Sequence, residues 1–552
     1  MESTQAHDVV VLGGGLAGLT LAIQLKQRDP AIDVAVVERR THPVPEAAFK
    51  VGESSVEIGA HYFSEVLGLR PHLDDAQLRK FGFRFFFSDG RDDVDRCTEL
   101  GVSRVLPMPT WQIDRGRFEN FLGEEARRLG VSFRDGSVVR AIALGTGDAP
   151  HRIDVDRDGA TDALEARWVV DASGRAGLLK RKLDLAEAND HDAGAVWWRV
   201  DGHVDPNDWS DDADWLARCE PPDRWRSTNH MCGPGYWVWL IPLASGAHSV
   251  GIVCDPALHP LESMNTHAKA MDWLRRHQPR VAADLDAPGH AVQDFAFLRN
   301  FSYGCKQVFS GDRWAITGEA GVFLDPFYSP GSDFIAIANG YICELVGKDR
   351  ASQPFAPYAE LYQQLYFSFY RHMLTLYQDQ YPLFGDAQVM PVKVIWDYTW
   401  YWGLLAPLYC QDRLTDLAVL GRLRPAFEHS GALNRAMQQL LRDWGARNAA
   451  APAPGAQCTV RPMLDQFDID WFHEMNRALD DRLDDQAVVA RLGDNVARMD
   501  RLASEILVQA RQAHPAIDDC GLSALLQGTR QDATPSLEAA WYASDDTRAE
   551  AA

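Results

Sequence analysis

The chain of 552 residues has the composition of a large globular protein, with 46% hydrophobic and 24% charged residues. This composition excludes an intrinsically disordered chain, a collagen-like fibre and a small disulfide scaffold. The net charge of −23, from 78 acidic and 55 basic residues, argues against nucleic acid or an anionic membrane surface as a partner and favours a small-molecule substrate or a protein partner.

The cysteines and the hydropathy pattern bear on the compartment. Nine cysteines are scattered between Cys97 and Cys520 without a Cys-x-x-Cys pair or a zinc-ligand spacing. We find no secretory signal peptide and no run of about eighteen apolar residues. We therefore expect a reduced, cytoplasmic protein without a membrane span and without a bound metal.

The first forty residues follow the pattern strand, turn, helix, strand. An apolar run at Val9–Leu12 precedes the glycine cluster Gly13–Gly18 (GGGLAG), and after a helical stretch a second apolar run, 34–37, ends at Glu38. The cluster matches G-x-G-x-x-G, whose glycines permit a tight turn and a close approach to a pyrophosphate. The helix N-terminus would supply amide donors, and Glu38 would accept hydrogen bonds from ribose hydroxyls. This unit predicts a dinucleotide site; the alternative is a glycine-rich turn without a ligand.

From the end of this forty-residue unit to about Ile337, short strand-like runs alternate with helical stretches. This alternation predicts an α/β fold, with a parallel nucleotide-binding sheet of Rossmann type and an inserted, more antiparallel sheet. Tryptophan-rich runs belong to the second sheet, which we place at about residues 80–110 and 190–300. The core with its inserted sheet is predicted to occupy residues 1–345.

Beyond Gly340 the pattern changes to long helical periodicity. Apolar residues recur on one face of a predicted helix at Val488, Leu492, Val496, Met499, Leu502 and Ile506. We expect residues 346–552 to form a mainly helical region, with a linker rich in proline and alanine at 449–455.

Three further segments decide which dinucleotide is bound. Val169–Arg175 is an apolar strand that runs into a small polar turn, Trp314–Pro326 is a strand followed by a Gly-acid pair, and Asp114–Phe118 reads DRGRF. Each alone could be ordinary sheet and loop. Together, and in this order, they resemble the flavoprotein monooxygenase family, in which such segments surround FAD. The resemblance implies an FAD-binding sheet of the hydroxylase-like (GR2) class.

The same resemblance identifies cofactor contacts. Arg115 and Glu319 would touch FAD, and the pair Asp325 and Pro326 would lie beside the flavin ring. The family usually has Asp where this chain has Glu319, which keeps the charge but lengthens the side chain. With the glycine motif, the residues assigned to FAD are Gly13, Gly15, Ala17, Gly18, Glu38, Arg39, Gly52, Glu53, Ser54, Arg115, Asp171, Glu319, Asp325, Pro326 and Gly331.

Two more stretches narrow the family. Trp237–Pro242 has the pattern W-x-W-x-I-P, and Lys50–Ser54 supplies a V-G-E loop, so that residues 8–340 resemble a flavin-dependent halogenase. In that family W-x-W-x-I-P lies next to the flavin and usually follows Gly directly, whereas here Tyr236 intervenes. The alternative is a strand whose alternation buries both tryptophans on one face without a cofactor.

The resemblance also implies a catalytic lysine. In these halogenases reduced FAD and oxygen form a flavin hydroperoxide, a halide attacks it to give hypohalous acid, and a lysine holds that oxidant near the aromatic carbon. The lysine lies shortly after the V-G-E loop at the start of an alternating strand, where Lys80 stands in Leu78–Phe85. An ammonium group is a compact donor that can polarise the oxidant. The chain has only nine lysines; the alternative is an exposed lysine at a strand end.

Tyr328 bears on the substrate. Family members that halogenate tryptophan carry Glu at this position, to take the proton from the ring. Members that act on phenols or pyrroles, often tethered to a carrier protein, lack that Glu because an electron-rich ring needs less help. Tyr328 therefore argues against free tryptophan, and we assign it to the substrate pocket with Trp237 and Trp239.

The halide site departs from the family. Halide binding there relies on successive backbone N–H groups at the turn after Tyr328, and Pro330 has none. We assign the halide to Ser329, Gly331 and Ser332, with a serine hydroxyl replacing the lost amide. An altered site of this kind would equally suit an enzyme that hydroxylates or dehydrogenates.

The leading hypothesis is an FADH2- and O2-dependent halogenase of secondary metabolism that acts on an electron-rich aromatic, heteroaromatic or conjugated group, free or bound to a carrier protein. It would use chloride or bromide and would receive FADH2 from a separate flavin reductase. We see no second G-x-G-x-x-G unit for a nicotinamide cofactor, although single-component hydroxylases bind NAD(P)H without one. An FAD-dependent monooxygenase or dehydrogenase of the same fold is the alternative, and a non-catalytic flavin-binding scaffold is a third interpretation.

Overall fold

The structure is a computed structural model that describes residues 5–47, 49–87, 92–450, 463–528 and 537. The proposed linker at 449–455 coincides with the end of a helix at Ala450 and, from residue 451 on, lies outside the described residues.

The strands of the described residues, numbered in chain order, are β1 (Gln5–Leu12), β2 (Val34–Val37), β3 (Leu78–Arg79), β4 (Phe83–Phe87), β5 (Thr98–Gly101), β6 (Trp111–Gln112), β7 (Ser132–Arg134), β8 (Ser137–Ala143), β9 (His151–Arg157), β10 (Ala160–Asp171), β11 (Ala186–Glu187), β12 (Gly194–Asp201), β13 (Thr228–Gly233), β14 (Tyr236–Pro242), β15 (Ala247–Cys254), β16 (Ala296–Leu298), β17 (Gly304–Cys305), β18 (Trp314–Ile316) and β19 (Leu464–Asp465).

The α-helices are α1 (Leu16–Arg28), α2 (Glu57–His61), α3 (Arg70–Ala76), α4 (Arg115–Arg128), α5 (Leu178–Lys182), α6 (Ala213–Leu216), α7 (His267–His277), α8 (Pro279–Leu285), α9 (Gly331–Arg350), α10 (Ala356–Leu374), α11 (Val389–Trp400), α12 (Ala406–Cys410), α13 (Leu417–Ala450), α14 (Asp470–Arg477), α15 (Asp485–Ala513) and α16 (Leu522–Leu525). Two π-helical turns, Tyr62–Val66 and Tyr401–Leu405, directly follow α2 and α11. Among the helices described here, none is both long enough and apolar enough to cross a membrane.

The chain divides into two compact units, each assembled from separate segments. The first unit comprises Met1–Leu78, Trp111–Asp192 and Asn300–Arg371, and the second comprises Arg79–Thr110, Ala193–Arg299 and His372–Ala552.

The first unit is built on a sheet with the strand order β7-β2-β1-β10-β9-β8, and β18 pairs with β10. Strands β7, β2, β1, β10 and β18 run parallel, with Leu12 opposite both Val37 and Asp171, whereas β8, β9 and β10 form an antiparallel meander. The apolar residues at the end of β1 are completely buried, as a parallel sheet requires. The carboxyl ends of the parallel strands meet at one edge, where α/β proteins bind ligands.

The second unit is built on a mixed sheet with the order β16-β12-β15-β14-β13-β4-β5-β19. Its pairs are antiparallel except for β13 with β4 and β5 with β19. On one face Val238 and Leu240 of β14 pack into a core with Trp273, Leu274 and Val281 of α7 and α8. Trp237 and Trp239 alternate with these residues and lie on the opposite face. The predicted architecture of a parallel sheet, an antiparallel sheet and a helical C-terminal region is confirmed.

The domain boundaries differ from those predicted. The predicted boundary at residue 345 falls inside α9, and the second unit combines the inserted sheet with the C-terminal helices. The reason is that the C-terminal segment completes the sheet, because β19 pairs with β5 and Asn476 accepts a hydrogen bond from the N–H of Met108. Helical periodicity in the sequence does not reveal such long-range contacts, so the boundary could not be predicted from it.

Candidate active site

The glycine motif lies at the carboxyl end of β1, in the first unit. Gly13 has a φ of +116°, and a Cβ atom there would lie 2.3 Å from the carbonyl oxygen of Ala172. A Cβ atom on Gly18 would lie 2.0 Å from the carbonyl oxygen of Gly13. These two glycines are therefore required by the protein itself, since they let β1, the start of α1 and the end of β10 approach each other.

Gly15 is different, because an added Cβ atom there would meet no protein atom within 4 Å. It caps α1 without a side-chain hydrogen bond, and the first turn of that helix contains no acidic residue. The amides of this turn have no intrahelical acceptors. Open space beside uncapped amides at the positive end of a helix fits a pyrophosphate.

Glu38 follows β2 at the same edge of the sheet. One carboxylate oxygen accepts a hydrogen bond from the N–H of Gly14 at 2.7 Å, and the other accepts from the N–H of Arg40 at 2.8 Å. Each oxygen has a second lone pair, so Glu38 retains acceptor capacity for a ribose hydroxyl. Arg39, which we also assigned to the cofactor, is exposed.

The V-G-E loop and Arg115 lie together. Arg115 donates from Nη1 to the carbonyl oxygen of Val51 at 2.7 Å and from Nη2 to Glu119 at 2.7 Å. Gly52 has a φ of +81°, and a Cβ atom there would lie 3.0 Å from Nη1 of Arg115. Glu53 accepts the N–H of Ile113 at its carbonyl oxygen. Ser54 forms a β-bridge with Gln112 and is buried, as is Glu53.

Lys50 also lies in this group, although it is not among the residues assigned to the cofactor. It forms an ion pair with Glu119, the same carboxylate that binds Arg115. Burial, followed by the charges of Arg115 and Arg40, lowers the pKa of Lys50 to about 7, against the opposing effect of Glu38. Lys50 therefore lies in the electrostatic field of the predicted FAD residues, and its charge depends on pH near neutrality.

Asp171 and Glu319 have different environments. The carboxylate oxygens of Asp171 accept hydrogen bonds from the N–H groups of Ser173 at 3.0 Å and Leu179 at 2.7 Å. Burial raises the pKa of Asp171. These bonds stabilise the turn after β10. Glu319 is partly exposed, with Arg175 at 4.0 Å, and its carboxylate is accessible to a ligand.

Asp325 forms a buried pair with a histidine that sequence reasoning missed. Its Oδ2 lies 2.7 Å from Nε2 of His191, and its Oδ1 accepts the N–H of Phe327 at 2.9 Å. Both side chains of the pair are buried. Pro326 follows, and its carbonyl oxygen accepts the N–H of Ser329. Because His191 and Asp325 are 134 positions apart, no local pattern could reveal the pair.

The predicted halide residues form the turn that leads into α9. Ser329 has a φ of +53° and Pro330 caps the helix, so the first free amides belong to Gly331 and Ser332. Oγ of Ser332 is buried and has no hydrogen-bond partner among the described residues. Asp333 lies in the same first turn and accepts the N–H of Gly59 at 2.8 Å. The turn thus offers donors to an anion and also places a buried carboxylate beside them.

Tyr328 precedes this turn. Its side chain is buried, and its ring centroid lies 4.7 Å from that of Phe327. The first unit therefore brings together the glycine motif, Glu38, the V-G-E loop and Arg115 at the edge of its sheet, and it holds Tyr328 close to the predicted halide turn.

Lys80 lies in the second unit, in the connection between β3 and β4 and not on a strand. Gly82, with a φ of +91°, interrupts the strand predicted over Leu78–Phe85. The backbone N–H of Lys80 donates to Thr110 at 2.9 Å, and its Nζ lies 3.3 Å from the centroid of the Phe83 ring. Only 3% of Lys80 is exposed. An ammonium group over a ring face is attracted by the ring quadrupole.

Phe83 belongs to a continuous aromatic face of the mixed sheet. The ring of His230 lies 5.3 Å from Phe83 and 5.2 Å from Trp237, and Trp239 follows at 5.7 Å from Trp237. The C-terminal helical segment contributes Tyr398, whose ring lies 6.2 Å from Phe83. The unit therefore places Lys80 and both predicted pocket tryptophans on one face.

Hydrogen bonds fix the two tryptophans on this face. Trp237 donates from Nε1 to the hydroxyl of Tyr381 at 3.3 Å, and Trp239 donates to Oγ of Ser249 at 3.1 Å. A Cβ atom on Gly251 would lie 2.2 Å from the ring of Trp239, so this glycine makes room for the indole. Both tryptophans are buried inside the unit.

The chain is similar to an FAD binding domain and to known flavin-dependent halogenases. The family profile of the FAD binding domain matches residues 6–255. The chain is 26% identical over 433 residues to the flavin-dependent halogenase chlA of Dictyostelium discoideum, covering 73% of this chain and 70% of that protein. It is 27% identical over 407 residues to the 1H-pyrrole-2-carbonyl-peptidyl-carrier protein chlorinase of Pseudomonas fluorescens, covering 68% of this chain and 84% of that protein.

A solved structure extends the likeness of fold over nearly the whole chain. The crystal structure of the halogenase PltM aligns with a TM-score of 0.64 at 17% identity, covering 94% of this chain and 98% of that chain. This likeness includes the C-terminal region beyond the FAD binding domain profile.

Proposed function

Because this chain belongs to the flavin-dependent halogenase family of FAD-dependent oxidoreductases, we propose that it halogenates an electron-rich aromatic, heteroaromatic or conjugated substrate with chloride or bromide. The protein is an FAD-binding enzyme. The observation that carries the proposed chemistry is Lys80, a buried lysine over an aromatic ring on the face that holds the W-x-W-x-I-P tryptophans.

The residues at the edge of the parallel sheet suit FAD. We assign the pyrophosphate to the amides at Gly15 and the ribose to Glu38, with Lys50 and Arg115 supplying positive charge. When bound, reduced FAD supplies two of the four electrons that reduce O2 to two molecules of water, and the halide ion supplies the other two and becomes an electrophilic halogen. A separate flavin reductase would deliver the reduced cofactor.

Lys80 would hold hypohalous acid. Its ammonium group donates a hydrogen bond to the oxygen of the acid, which withdraws electrons and makes the halogen more electrophilic. As the halogen bonds to the ring carbon, the oxygen leaves and takes the ring proton, which gives water. The surrounding rings lower the local polarity, so that this one hydrogen bond is strong.

The halide would bind in the turn before α9. The hydroxyl of Ser332 is a buried donor without a partner among the described residues, and Ser329 shapes the turn. The amides of Gly331 and Ser332 stand in the first turn of α9, where a helix offers them no internal acceptor. Three such donors can replace the amide that Pro330 lacks.

The substrate would be a phenol or a pyrrole, free or bound to a carrier protein. Tyr328 supplies no carboxylate base, and electron-rich rings react without one. The similarity to a chlorinase of carrier-bound pyrrole-2-carbonyl supports this class. Trp237, Trp239 and Tyr328 are the aromatic side chains that we assign to the substrate.

The test is a coupled halogenation assay. The enzyme, a flavin reductase, NADH, FAD and bromide are incubated with phenols and with pyrrole-2-carboxylate, both free and as the carrier thioester. We expect a brominated product, recognised by the paired isotope signature of bromine, that requires both bromide and the reductase. Oxygen consumption with every substrate but without a brominated product would overturn the proposal.

A hydroxylase of the same fold is the second candidate, and two observations favour it. Pro330 removes an amide donor from the halide turn, and the carboxylate of Asp333 places negative charge in the same turn. A hydroxylated product that forms without halide, with flavin reduction by NADPH alone, would favour this enzyme.

A further inference from the structure

A cavity of about 280 Å³ lies in the helical part of the second unit. It is bounded by the π-helical turn Tyr401–Leu405 and by residues of α12, α14 and α15. The volume is slightly below the range of about 300–1,000 Å³ that is typical of sites for drug-sized ligands, so it suits a smaller molecule. None of the residues assigned to FAD, halide or substrate lines it.

The inner wall of the cavity is apolar. Met475, Leu479, Val488 and Leu492 line it and are buried. The rim is charged, because Glu474, Arg477 and Asp494 are exposed at its edge. A ligand with an apolar body and one polar end matches this arrangement.

Two side chains that line the cavity each carry a buried N–H donor without an acceptor among the described residues. Trp402 lines the cavity, is only 1% exposed, and its indole N–H has no hydrogen-bond partner among the described residues. Nε of Arg498 is buried and likewise has no partner in the described part of the chain. Nη1 of Arg498 donates to Oδ1 of Asn495 at 3.0 Å, a neutral acceptor. Buried donors of this kind favour an acceptor that a ligand supplies.

Of the three arginines that line the cavity, two form ion pairs with carboxylates and one, Arg498, does not form one with any described residue. Arg477 forms an ion pair with Glu474, and Arg491 forms one with Asp481 at 2.6 Å. Arg498 has no ion pair with any described residue, and burial lowers its pKa against the opposing effect of Asp494. A carboxylate in the cavity would compensate the positive charge of Arg498.

The helical backbone beside the cavity departs from regular α-helix at Tyr401–Leu405, directly after α11. The turn that contains Trp402 is π-helical, and the carbonyl oxygen of Gly403 accepts the side-chain N–H of Asn495 at 2.9 Å. Asn495 therefore links the π-helical turn to Arg498. Because single π-helical turns inside α-helices frequently occur at functional sites, the turn is an indication independent of the unpaired donors.

We propose that this cavity binds a small organic monocarboxylate with an apolar body, such as an aromatic or medium-chain acid. The carboxylate accepts hydrogen bonds from Arg498 and from the indole N–H of Trp402, and the apolar body contacts Met475 and Leu492. The site is separate from the FAD-binding residues and does not depend on the proposed halogenation.

The test uses the full chain with bound FAD and isothermal titration calorimetry. The probes are benzoate and hexanoate, with benzyl alcohol and benzylamine as neutral and cationic analogues of similar size. We expect both carboxylates to bind with dissociation constants in or below the millimolar range and the two analogues to bind at least about tenfold more weakly.

Four variants at three positions locate the binding. Arg498→Gln should weaken benzoate binding at least about tenfold, whereas Arg477→Gln, at the rim and already paired, should change it less than about twofold. Trp402→Phe should weaken it several-fold. Arg498→Lys keeps the charge and should retain part of the affinity, and melting curves show that each variant is folded.

Two results would overturn the proposal. One is the absence of any heat of binding for both carboxylates in the millimolar range. The other is equal benzoate affinity in the original protein and in folded Arg498→Gln and Trp402→Phe variants, since benzoate would then bind elsewhere.

Discussion

The residues that we assign to FAD in the first unit and the face around Lys80 in the second unit are constructed in opposite ways. The proposed FAD site is centred on a contiguous motif, Gly13–Gly18, which would act through backbone groups and open space. The Lys80 face consists of side chains from separate segments, with Phe83, His230 and Trp237 on three strands and Tyr398 on a helix. A site formed by backbone groups, such as the glycine motif, tolerates few residue types at its positions. The properties of a site formed by side chains, such as the face around Lys80, depend on which neighbouring residues the fold brings together.

This difference predicts where each site is vulnerable. At the glycine motif a single added methyl group should strongly reduce FAD binding, because the pyrophosphate would occupy the open space beside Gly15. On the aromatic face the chemistry should depend on one amine, and the rings around it should contribute smaller effects that are coupled between neighbouring rings.

The largest effect is expected for Lys80→Met. Without the ammonium group the oxidant loses its hydrogen-bond donor, so halogenation should fall by about a thousandfold. Oxygen consumption and the FAD content should stay close to those of the original enzyme, because all the residues assigned to FAD belong to the first unit, whereas Lys80 belongs to the second. Rates of halogenated product and of oxygen uptake, measured side by side, check this prediction.

Lys80→Arg is the matched control. It keeps a positive charge over Phe83 but replaces the compact donor with a planar one, so it should recover only part of the activity. Full halogenation by a folded Lys80→Met variant would remove this lysine from the mechanism.

The second effect concerns Gly15→Ala. The added Cβ atom meets no protein atom, so the fold should be unaffected while FAD affinity falls by roughly tenfold to a hundredfold through crowding of the pyrophosphate. Gly18→Ala is the contrast, because its Cβ atom would lie 2.0 Å from the carbonyl oxygen of Gly13 and should lower the unfolding free energy by about 1–3 kcal/mol or more.

FAD titration and thermal melting of the two glycine variants separate binding from folding. A Gly15→Ala variant that is purified with a full complement of FAD would contradict the assignment of the pyrophosphate to the open space beside Gly15.

The glycine motif could be predicted from the sequence because it is local, whereas the face around Lys80 is assembled from separate segments and could be predicted only in part. The strand-turn-helix unit and Glu38 are local, and the structure places them at one edge of the parallel sheet. Lys80 is predicted from its position after the V-G-E loop, as the family resemblance implies, but the strand predicted around it is interrupted at Gly82, where the backbone adopts a positive φ. A glycine inside an alternating run is the only local sign of that interruption.

Other features depend on long-range contacts that a single sequence does not record. His191 pairs with Asp325 across 134 positions, and the cavity at Trp402 requires four helical elements to meet. Lys50 is an intermediate case. It stands next to the V-G-E loop and is one of only nine lysines, so its identity could have drawn attention. Its lowered pKa, however, arises first from burial in the folded protein and then from the charge of Arg115, more than sixty residues away in the chain.

The third effect is the pH dependence of FAD binding through Lys50. The pKa of about 7 means that Lys50 is protonated below pH 7 and loses its charge above it. A bound pyrophosphate favours the protonated form and raises that pKa, so FAD affinity should be constant below pH 7 and fall by up to about tenfold per pH unit above it. Fluorescence titration of FAD across this range measures the slope.

Two substitutions isolate the contribution of this lysine. Lys50→Arg carries a permanent charge and should bind FAD with an affinity that is independent of pH, close to the low-pH value of the original protein. Lys50→Met should also be independent of pH but weaker. A slope that persists in both variants would assign the pH dependence to another group.

The smallest effect is expected at the tryptophans beside Lys80. Trp237→Phe removes the indole donor to Tyr381, and Trp239→Phe removes the donor to Ser249, so each should cost about 1 kcal/mol of unfolding free energy. If Trp237 also lines the substrate pocket, its variant should raise KM for the aromatic substrate several-fold and leave kcat little changed. Denaturant unfolding and steady-state kinetics of both variants provide the comparison. Equal losses of stability with no change in KM for either variant would mean that the aromatic face only supports Lys80, and that the substrate contacts other residues.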